Sequence, residues 1–268
     1  MNARQVYFVS DHTGVTAEVL GHSLLARFGD LSIRTSTRPF VNTPQRADEL
    51  AAELAGLEEE PVVFSTITDV GVRERIAAAP CVHVDLFEPF LNRLEAVFQS
   101  PPQAQVGAYH SIRDLASYQA RIDAVEFALA TDDGANVRRY GQAEAVMVGV
   151  SRVGKSPTCL YLALQYGVRA ANYPLAEDDF ESDALPAALA PHHGRLFGLT
   201  IAARRLHELR QQRRPGSRYA DLRRCEYEVR QAERLFRRHT IPFQDASSLS
   251  VEELAALVLQ RAGLVRHR

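Results

Sequence analysis

The 268-residue sequence has little of several features that mark particular classes of protein. No apolar run approaches the roughly 18–20 residues that cross a bilayer, and the opening MNARQVYFVSDHTG lacks the long apolar stretch of a secretion signal. The three cysteines, Cys81, Cys159 and Cys225, lie far apart with no histidines at ligand spacing, which predicts buried free thiols. We therefore expect a cytoplasmic protein without a membrane-spanning segment.

Net charge and lysine are also scarce. The formal charge is −2, and this argues against a nucleic-acid-binding protein, because binding to a phosphate backbone normally needs a basic surplus. Of the 31 basic residues, Lys155 is the one lysine and all the others are arginine. A lysine kept in such an arginine-rich sequence singles out position 155.

What is present is the alternation of short apolar runs and helical patterns that is typical of α/β proteins with a parallel sheet. The first series of β-rich runs lies at 6–10, 61–67 and 81–87, and the second at 145–150, 168–175, 195–201 and 240–247. The polar, proline-containing QSPPQAQ at 99–105 separates them. We predict an N-terminal βαβ domain at 1–105, a bridging helical segment at 106–143 and a C-terminal α/β domain at 144–268.

The first predicted helix follows the first strand and extends over 15–28. Its apolar side chains recur at helical spacing, which predicts that they pack in the core. They are Val15, Val19, Leu20, Leu24, Leu25 and Phe28.

The segment GVSRVGKS, from Gly149 to Ser156, matches the phosphate-binding pattern G-x-x-x-x-G-K-[ST] at every fixed position. It lies between a buried strand and a helix predicted to begin near Pro157, so 144–268 is predicted to be a P-loop kinase-like domain with a parallel sheet. Lys155 would place its charge on a phosphate, and the Ser156 hydroxyl would bind Mg²⁺. The loop backbone would wrap the phosphate with its N–H groups; its residues are Gly149, Val150, Ser151, Arg152, Val153 and Gly154. The pattern indicates a nucleotide-dependent phosphotransferase.

A second candidate site is the loop Ser10–Gly14, reading SDHTG, between the first strand and the first helix. Open α/β sheets bind ligands at such positions. Asp11 could act as a catalytic base or orient a phosphate, but aspartate also serves as an ordinary helix cap, and both interpretations stay open. His12 is interpreted as a solvent-facing loop residue, because no partner for it is visible in the sequence.

Three further aspartates, in two segments, are less specific candidates. Asp132-Asp133-Gly134 could contribute to a metal site, although Asp-Gly is also standard turn chemistry and the turn is favoured. Asp85 ends a predicted strand and is an open candidate. The second ligand of the metal is left unassigned.

Twelve arginines lie between Arg204 and Arg238, on two predicted helices separated by Pro215-Gly216. A solvated basic face is the default interpretation of such a run. In a phosphoryl-transfer enzyme, some of these arginines could instead act on the nucleotide, because the guanidinium group binds phosphate in a bidentate manner.

The sequence resembles the bacterial and plastid regulatory proteins of pyruvate, phosphate dikinase and phosphoenolpyruvate synthase. The resemblance runs nearly end to end and is carried by VSDHTGVTAE at 9–18, EFALATDDG at 126–134, GVSRVGKSPT at 149–158, AANYPL at 170–175 and LFGLTI at 196–201. Two positions depart from the family pattern: Ser156 replaces the commoner threonine and keeps its hydroxyl, and His12 stands where a small residue is expected. The second departure argues against a catalytic His12.

The resemblance implies a bifunctional serine/threonine kinase and phosphorylase. Such a protein uses ADP to phosphorylate a threonine of its target enzyme, which inactivates that enzyme. It uses inorganic phosphate to remove the phosphoryl group, with release of pyrophosphate. The implied cofactors are ADP, inorganic phosphate and Mg²⁺, and the favoured target is phosphoenolpyruvate synthase, with pyruvate, phosphate dikinase as the alternative.

Two other functions remain open alternatives. The first is a P-loop kinase of small molecules, and the second is a nucleotide sensor or nucleic-acid binder without phosphotransferase activity. A homodimer is a further open alternative, because the pattern of residues specifies no oligomeric state.

Overall fold

The structure is a computed structural model and describes residues 3–29, 32–102 and 115–264. The chain divides into two compact units, Met1–Ser111 and Ile112–Arg268. Each unit contains a four-stranded sheet in which all paired strands run parallel. The predicted α/β class is confirmed.

The sheet of the N-terminal unit has the strand order β2-β1-β3-β4. Apolar residues of β1 and β3 alternate between its two faces, so one face packs against α2 and α3 and the other against α1. The strands are β1 (Arg4–Ser10), β2 (Ile33–Arg38), β3 (Val62–Thr66) and β4 (Val82–Asp85), and the helices are α1 (Val15–Leu25), α2 (Pro44–Ala55), α3 (Val70–Ala77) and α4 (Glu88–Phe98).

The predicted core face of α1 is wrong. Five of the six side chains predicted to pack are between 41% and 70% exposed, namely Val15, Val19, Leu20, Leu24 and Phe28, and Phe28 lies beyond the end of α1. The buried residues of α1 are Ala17 and Gly21, and a Cβ atom at Gly21 would lie 2.3 Å from the ring of Phe8. The helix therefore approaches the sheet mainly through its small residues, and of the six predicted core side chains Leu25 packs partly against the core while the other five are exposed.

The sheet of the C-terminal unit has the strand order β6-β5-β7-β8, and β5 is buried along its whole length. A capping box of Ser250 and Glu253 starts α9, because each side chain accepts a hydrogen bond from the backbone N–H of the other residue. The strands are β5 (Ala145–Gly149), β6 (Ala170–Pro174), β7 (Leu196–Thr200) and β8 (Phe243–Asp245), and the helices are α5 (Leu115–Ala130), α6 (Lys155–Tyr166), α7 (Ala203–Arg213), α8 (Leu222–Arg238) and α9 (Val251–Ala262).

The predicted three-part division of the chain stays a prediction. Residues 106–114 of its bridging segment lie outside the described residues. The described helix of that segment, α5, packs against α6 and β6 of the C-terminal unit. Within the described ranges, no helix is both long enough and apolar enough to cross a membrane.

The cysteines follow the expectation from their spacing. All three are free thiols, with Cys159 and Cys225 buried and Cys81 half-buried. Burial raises the pKa of each thiol above its usual value, so the thiols stay protonated at neutral pH.

Candidate active site at the P-loop

The P-loop connects the end of β5 to the start of α6, in the middle of the C-terminal sheet. The helix begins at Lys155, two residues before the predicted start near Pro157. Arg152 and Gly154 both have positive φ, at 81° and 95°. Left-handed residues within a turn direct successive N–H groups into a concave surface that binds anions, so the loop has the backbone form that a phosphate cradle needs.

Packing explains the glycine at the start of the loop. A Cβ atom at Gly149 would lie 2.5 Å from the carbonyl oxygen of Leu199 on β7, and the Gly149 carbonyl accepts a hydrogen bond from the Leu175 N–H after β6. Backbone on both sides therefore holds the loop entrance. Ser156 lies in the first turn of α6, where its side chain is half-buried.

Lys155 is buried, with 4% of its surface exposed. Its Nζ donates a hydrogen bond of 2.9 Å to the Val150 carbonyl, so the side chain folds back across the loop. Burial lowers the pKa of Lys155 to about 8, the negative charges of Asp133 and Asp132 oppose this shift, and the positive charge of Arg210 adds to it. The ammonium group is thus poorly solvated and prepared to accept an anion.

Anion binding should consequently weaken as the pH rises above about 8. An anion binds the charged form of Lys155, and the free protein loses that form at the lowered pKa. For ADP, the ligand that the resemblance implies, the affinity should fall above this pKa by up to about tenfold per pH unit, because the phosphates of ADP keep their charge over this range. Isothermal titration calorimetry from about pH 7 to about pH 10 measures this decline.

The matched control is Lys155→Arg, whose guanidinium stays charged throughout that range and should remove the decline. An affinity that did not change with pH in the unaltered protein would contradict the assignment of Lys155 as the anion-binding group.

The lowered pKa of Lys155 also has a consequence for folding. Between about 8 and 10.5, the folded chain holds Lys155 neutral while the unfolded chain holds it charged, so the free energy of unfolding should rise with pH in that window.

The Asp132–Gly134 segment forms a 3₁₀ turn beside this lysine, and the turn interpretation is confirmed. Asn172, fully buried on β6, holds the turn. Its Nδ2 donates to the Asp132 carboxylate at 2.6 Å, and its Oδ1 accepts from the Asp133 N–H at 3.1 Å. The Asp133 side chain is exposed. The structure therefore brings two carboxylates into the electrostatic surroundings of the P-loop lysine.

One of the twelve arginines lies behind the P-loop. Arg210 is 1% exposed, and its Nη2 donates to the Ser151 carbonyl at 3.2 Å and to Glu228 at 2.6 Å. Tyr219 lies against both groups, because its ring is 4.3 Å from the Arg210 guanidinium and its hydroxyl is 2.9 Å from Ser151 Oγ. Most of the other arginines are exposed, as the default interpretation expects.

The N-terminal loop places Asp11 in a different setting. Asp11 is 4% exposed, and its Oδ2 accepts hydrogen bonds from the N–H and the hydroxyl of Thr68, at 2.9 and 2.7 Å. The cap of α1 is Gly14, with a φ of 86° and no side-chain cap. Asp11 therefore joins the loops after β1 and β3 and does not cap the helix. Its catalytic role stays a prediction.

The remaining N-terminal candidates have local roles. Asp85 Oδ1 accepts hydrogen bonds of 2.7 Å from the N–H groups of Phe87 and Glu88, and Arg73 lies 3.5 Å from Oδ2. This arrangement fixes the start of α4. His12 is half-buried, with its ring 6.0 Å from that of Phe40, so its interpretation as a solvent-facing residue is only partly right.

A match to a known protein family spans nearly the whole chain. A family model described as kinase/pyrophosphorylase matches residues 6–259. The chain belongs to the kinase/pyrophosphorylase family. The matched range includes residues of both units, among them the SDHTG loop and the P-loop.

Several relatives carry the name “Putative phosphoenolpyruvate synthase regulatory protein”, and three of them show the degree of similarity. The one from Marinobacter nauticus is 46% identical, over 99% of this chain and 99% of its own length. The one from Deinococcus radiodurans is 49% identical, over 96% of this chain and 94% of its own. The one from Halorhodospira halophila is 47% identical, over 99% and 98%. The resemblance seen in the sequence is confirmed.

Three contributors to the site were not singled out in the sequence. Asn172 is a polar residue within a buried strand, and that contrast is a signal that could have identified it. Arg210 lies four residues after Leu206, and these two are the buried residues of α7, so helical periodicity could have separated it from the other arginines. For Tyr219, which lies in a short 3₁₀ turn, no comparable signal exists.

Proposed function

We propose that the chain catalyses two opposed phosphoryl transfers at its P-loop. One is the ADP-dependent phosphorylation of a threonine of phosphoenolpyruvate synthase, which inactivates that enzyme. The other is the phosphate-dependent removal of the same group, which releases pyrophosphate. The carrying observation is a lysine-bearing phosphate cradle in a member of the kinase/pyrophosphorylase family, with relatives named for phosphoenolpyruvate synthase.

The two reactions share one phosphoryl group. In the kinase direction the threonine oxygen attacks the β-phosphorus of ADP, the bond from that phosphorus to the bridging oxygen breaks, and AMP leaves. In the other direction an oxygen of inorganic phosphate attacks the phosphothreonine phosphorus, the bond to the threonine oxygen breaks, and that oxygen takes up a proton. Both transition states spread negative charge over the transferring phosphoryl oxygens, so one cradle serves both.

The chain's own groups supply electrostatic stabilisation. Lys155 exchanges its hydrogen bond to the Val150 carbonyl for one to a phosphate oxygen, and burial strengthens that interaction. The loop N–H groups bind the remaining oxygens. Asp11 stays a predicted catalytic base or orienting group. Asp133 is a further candidate base, supported by its exposed carboxylate and by its electrostatic effect on Lys155, and it would accept the threonine proton.

Mg²⁺ fits the oxygen donors of this site. Magnesium usually takes one or two protein oxygens together with phosphates and water. The Ser156 hydroxyl and a carboxylate of the Asp132–Gly134 turn are the groups that would hold it. When bound, the ion neutralises charge on the phosphates.

The test offers ADP and ATP separately, each with phosphoenolpyruvate synthase and with pyruvate, phosphate dikinase as acceptor. We expect phosphothreonine on the synthase and stoichiometric AMP with ADP alone, and pyrophosphate when phosphate is added to the phosphorylated synthase. Phosphorylation of the dikinase in its place would correct the target. Turnover of nucleotide with small acceptors and no protein would overturn the proposal in favour of a small-molecule kinase.

A further inference from the structure

The buried guanidinium of Arg210 contacts the P-loop from the protein interior. It comes from α7, and its Nη2 reaches the Ser151 carbonyl at 3.2 Å. Its own position is fixed by Glu228 at 2.6 Å and by the Tyr219 carbonyl, which accepts from Nη1 at 3.1 Å. A guanidinium is always charged and rigid, so it binds this carbonyl with a fixed direction.

That contact determines which way one peptide of the loop faces. The peptide between Ser151 and Arg152 is trans, so its carbonyl and the Arg152 N–H point in opposite directions. The carbonyl points inward, to a side chain that is 1% exposed. The Arg152 N–H therefore points the other way, away from Arg210 and the interior.

The backbone conformation of Arg152 requires stabilising contacts such as the one between Arg210 and the Ser151 carbonyl. Its φ of 81° lies in the left-handed region, which costs a side-chain-bearing residue free energy and persists only where the surroundings hold it. The contacts that hold it act on the preceding residue. Ser151 is bound through its carbonyl by Arg210 and through its hydroxyl by Tyr219.

We propose that Arg210 is a positioning residue that presets the P-loop, holding the Ser151–Arg152 peptide with its N–H directed at the phosphate site before any ligand arrives. The inference deepens the proposed function and depends on it only in taking the P-loop as a phosphate site. Arg210 on α7, held by Glu228 on α8, thereby affects the affinity for phosphate through its hydrogen bond to the Ser151 carbonyl.

Glu228 provides a matched pair of variants. The Arg224 guanidinium also binds Glu228, at 2.7 Å, and it binds Glu177 at 2.9 Å, outside the P-loop. Arg210→Met and Arg224→Met each remove one arginine from Glu228 and leave the other. Calorimetric titration with pyrophosphate should show affinity at least about tenfold lower for Arg210→Met and within about threefold of the unaltered protein for Arg224→Met. Equal affinities of the two variants would overturn the proposal.

A coupling measurement separates positioning from a merely structural role. Glycine adopts positive φ without cost, so Arg152→Gly should reduce the loss of affinity that Arg210→Met causes. A purely structural Arg210 would give the same loss in both backgrounds, and that result would overturn the proposal. If Arg210→Met does not fold, Arg210→Met/Glu228→Leu, which replaces the charged pair by apolar side chains, takes its place in both comparisons.

The pyrophosphate titration needs no protein acceptor, so the two proposals can fail separately. If the expected affinities are found but the synthase is not phosphorylated, the proposed function fails and the positioning role stands. If the synthase is modified but Arg210→Met binds pyrophosphate normally, the positioning role fails. If the unaltered protein binds no pyrophosphate, both fail.

Discussion

Lys155→Met should lower kcat by about 10²–10³-fold in both proposed reactions, the ADP-dependent and the phosphate-dependent one, which is the size of effect seen when one preorganised donor to a developing negative charge is removed. The reason is the position of Lys155 at the start of α6, buried and directed across the loop. Assays of phosphothreonine formation and of pyrophosphate release, on the same preparation, measure the two effects.

The control for Lys155→Met is Arg204→Ala, which removes an exposed cation from the same unit and should leave both rates nearly unchanged. The fold should persist, since the pKa of Lys155, lowered by burial to about 8, indicates that burying its charge already opposes folding. A variant that lost only one of the two activities would show that the reactions do not share this lysine.

Glu228→Leu should lower the free energy of unfolding by about 3–5 kcal/mol, the range expected when one partner of a buried ion pair is removed. Arg210 cannot lose its proton and is 1% exposed, so its charge would remain in the interior without a carboxylate. Urea denaturation monitored by circular dichroism measures the change.

The double replacement Arg210→Met/Glu228→Leu tests the cause of that loss. Removing both charges should restore most of the stability, because an apolar pair of similar volume avoids the desolvation cost. A double variant as unstable as Glu228→Leu would indicate that Glu228 acts through packing or through its second partner, Arg224, 2.7 Å away.

The elements that could be predicted from the sequence are those with strong local patterns. The apolar run that becomes β5 and the P-loop after it were found because each depends on residues close together in the chain. Strand β2 was missed because its sequence, IRTSTR, is polar and it lies at the edge of its sheet, where burial imposes no apolar pattern.

The errors and omissions arise from contacts between distant residues. Periodicity found the apolar stripe of α1 but not which side meets the sheet, a choice made by the close approach of Gly21 to Phe8. The contact of Arg210 with Ser151 spans 59 positions, and the sequence carries no pairing rule that connects them. Such contacts follow from the topology of the sheet rather than from spacing.

The single lysine also makes the P-loop accessible to a direct measurement of local opening. A protease that cuts only after lysine has one cleavage site in this chain, the bond between Lys155 and Ser156. That bond lies at the first turn of α6, after a side chain that is 4% exposed, so cutting requires the start of the helix to unfold. The appearance of two fragments, 1–155 and 156–268, therefore reports the opening of the P-loop, and any ligand that binds the closed loop slows the cleavage in proportion to its occupancy.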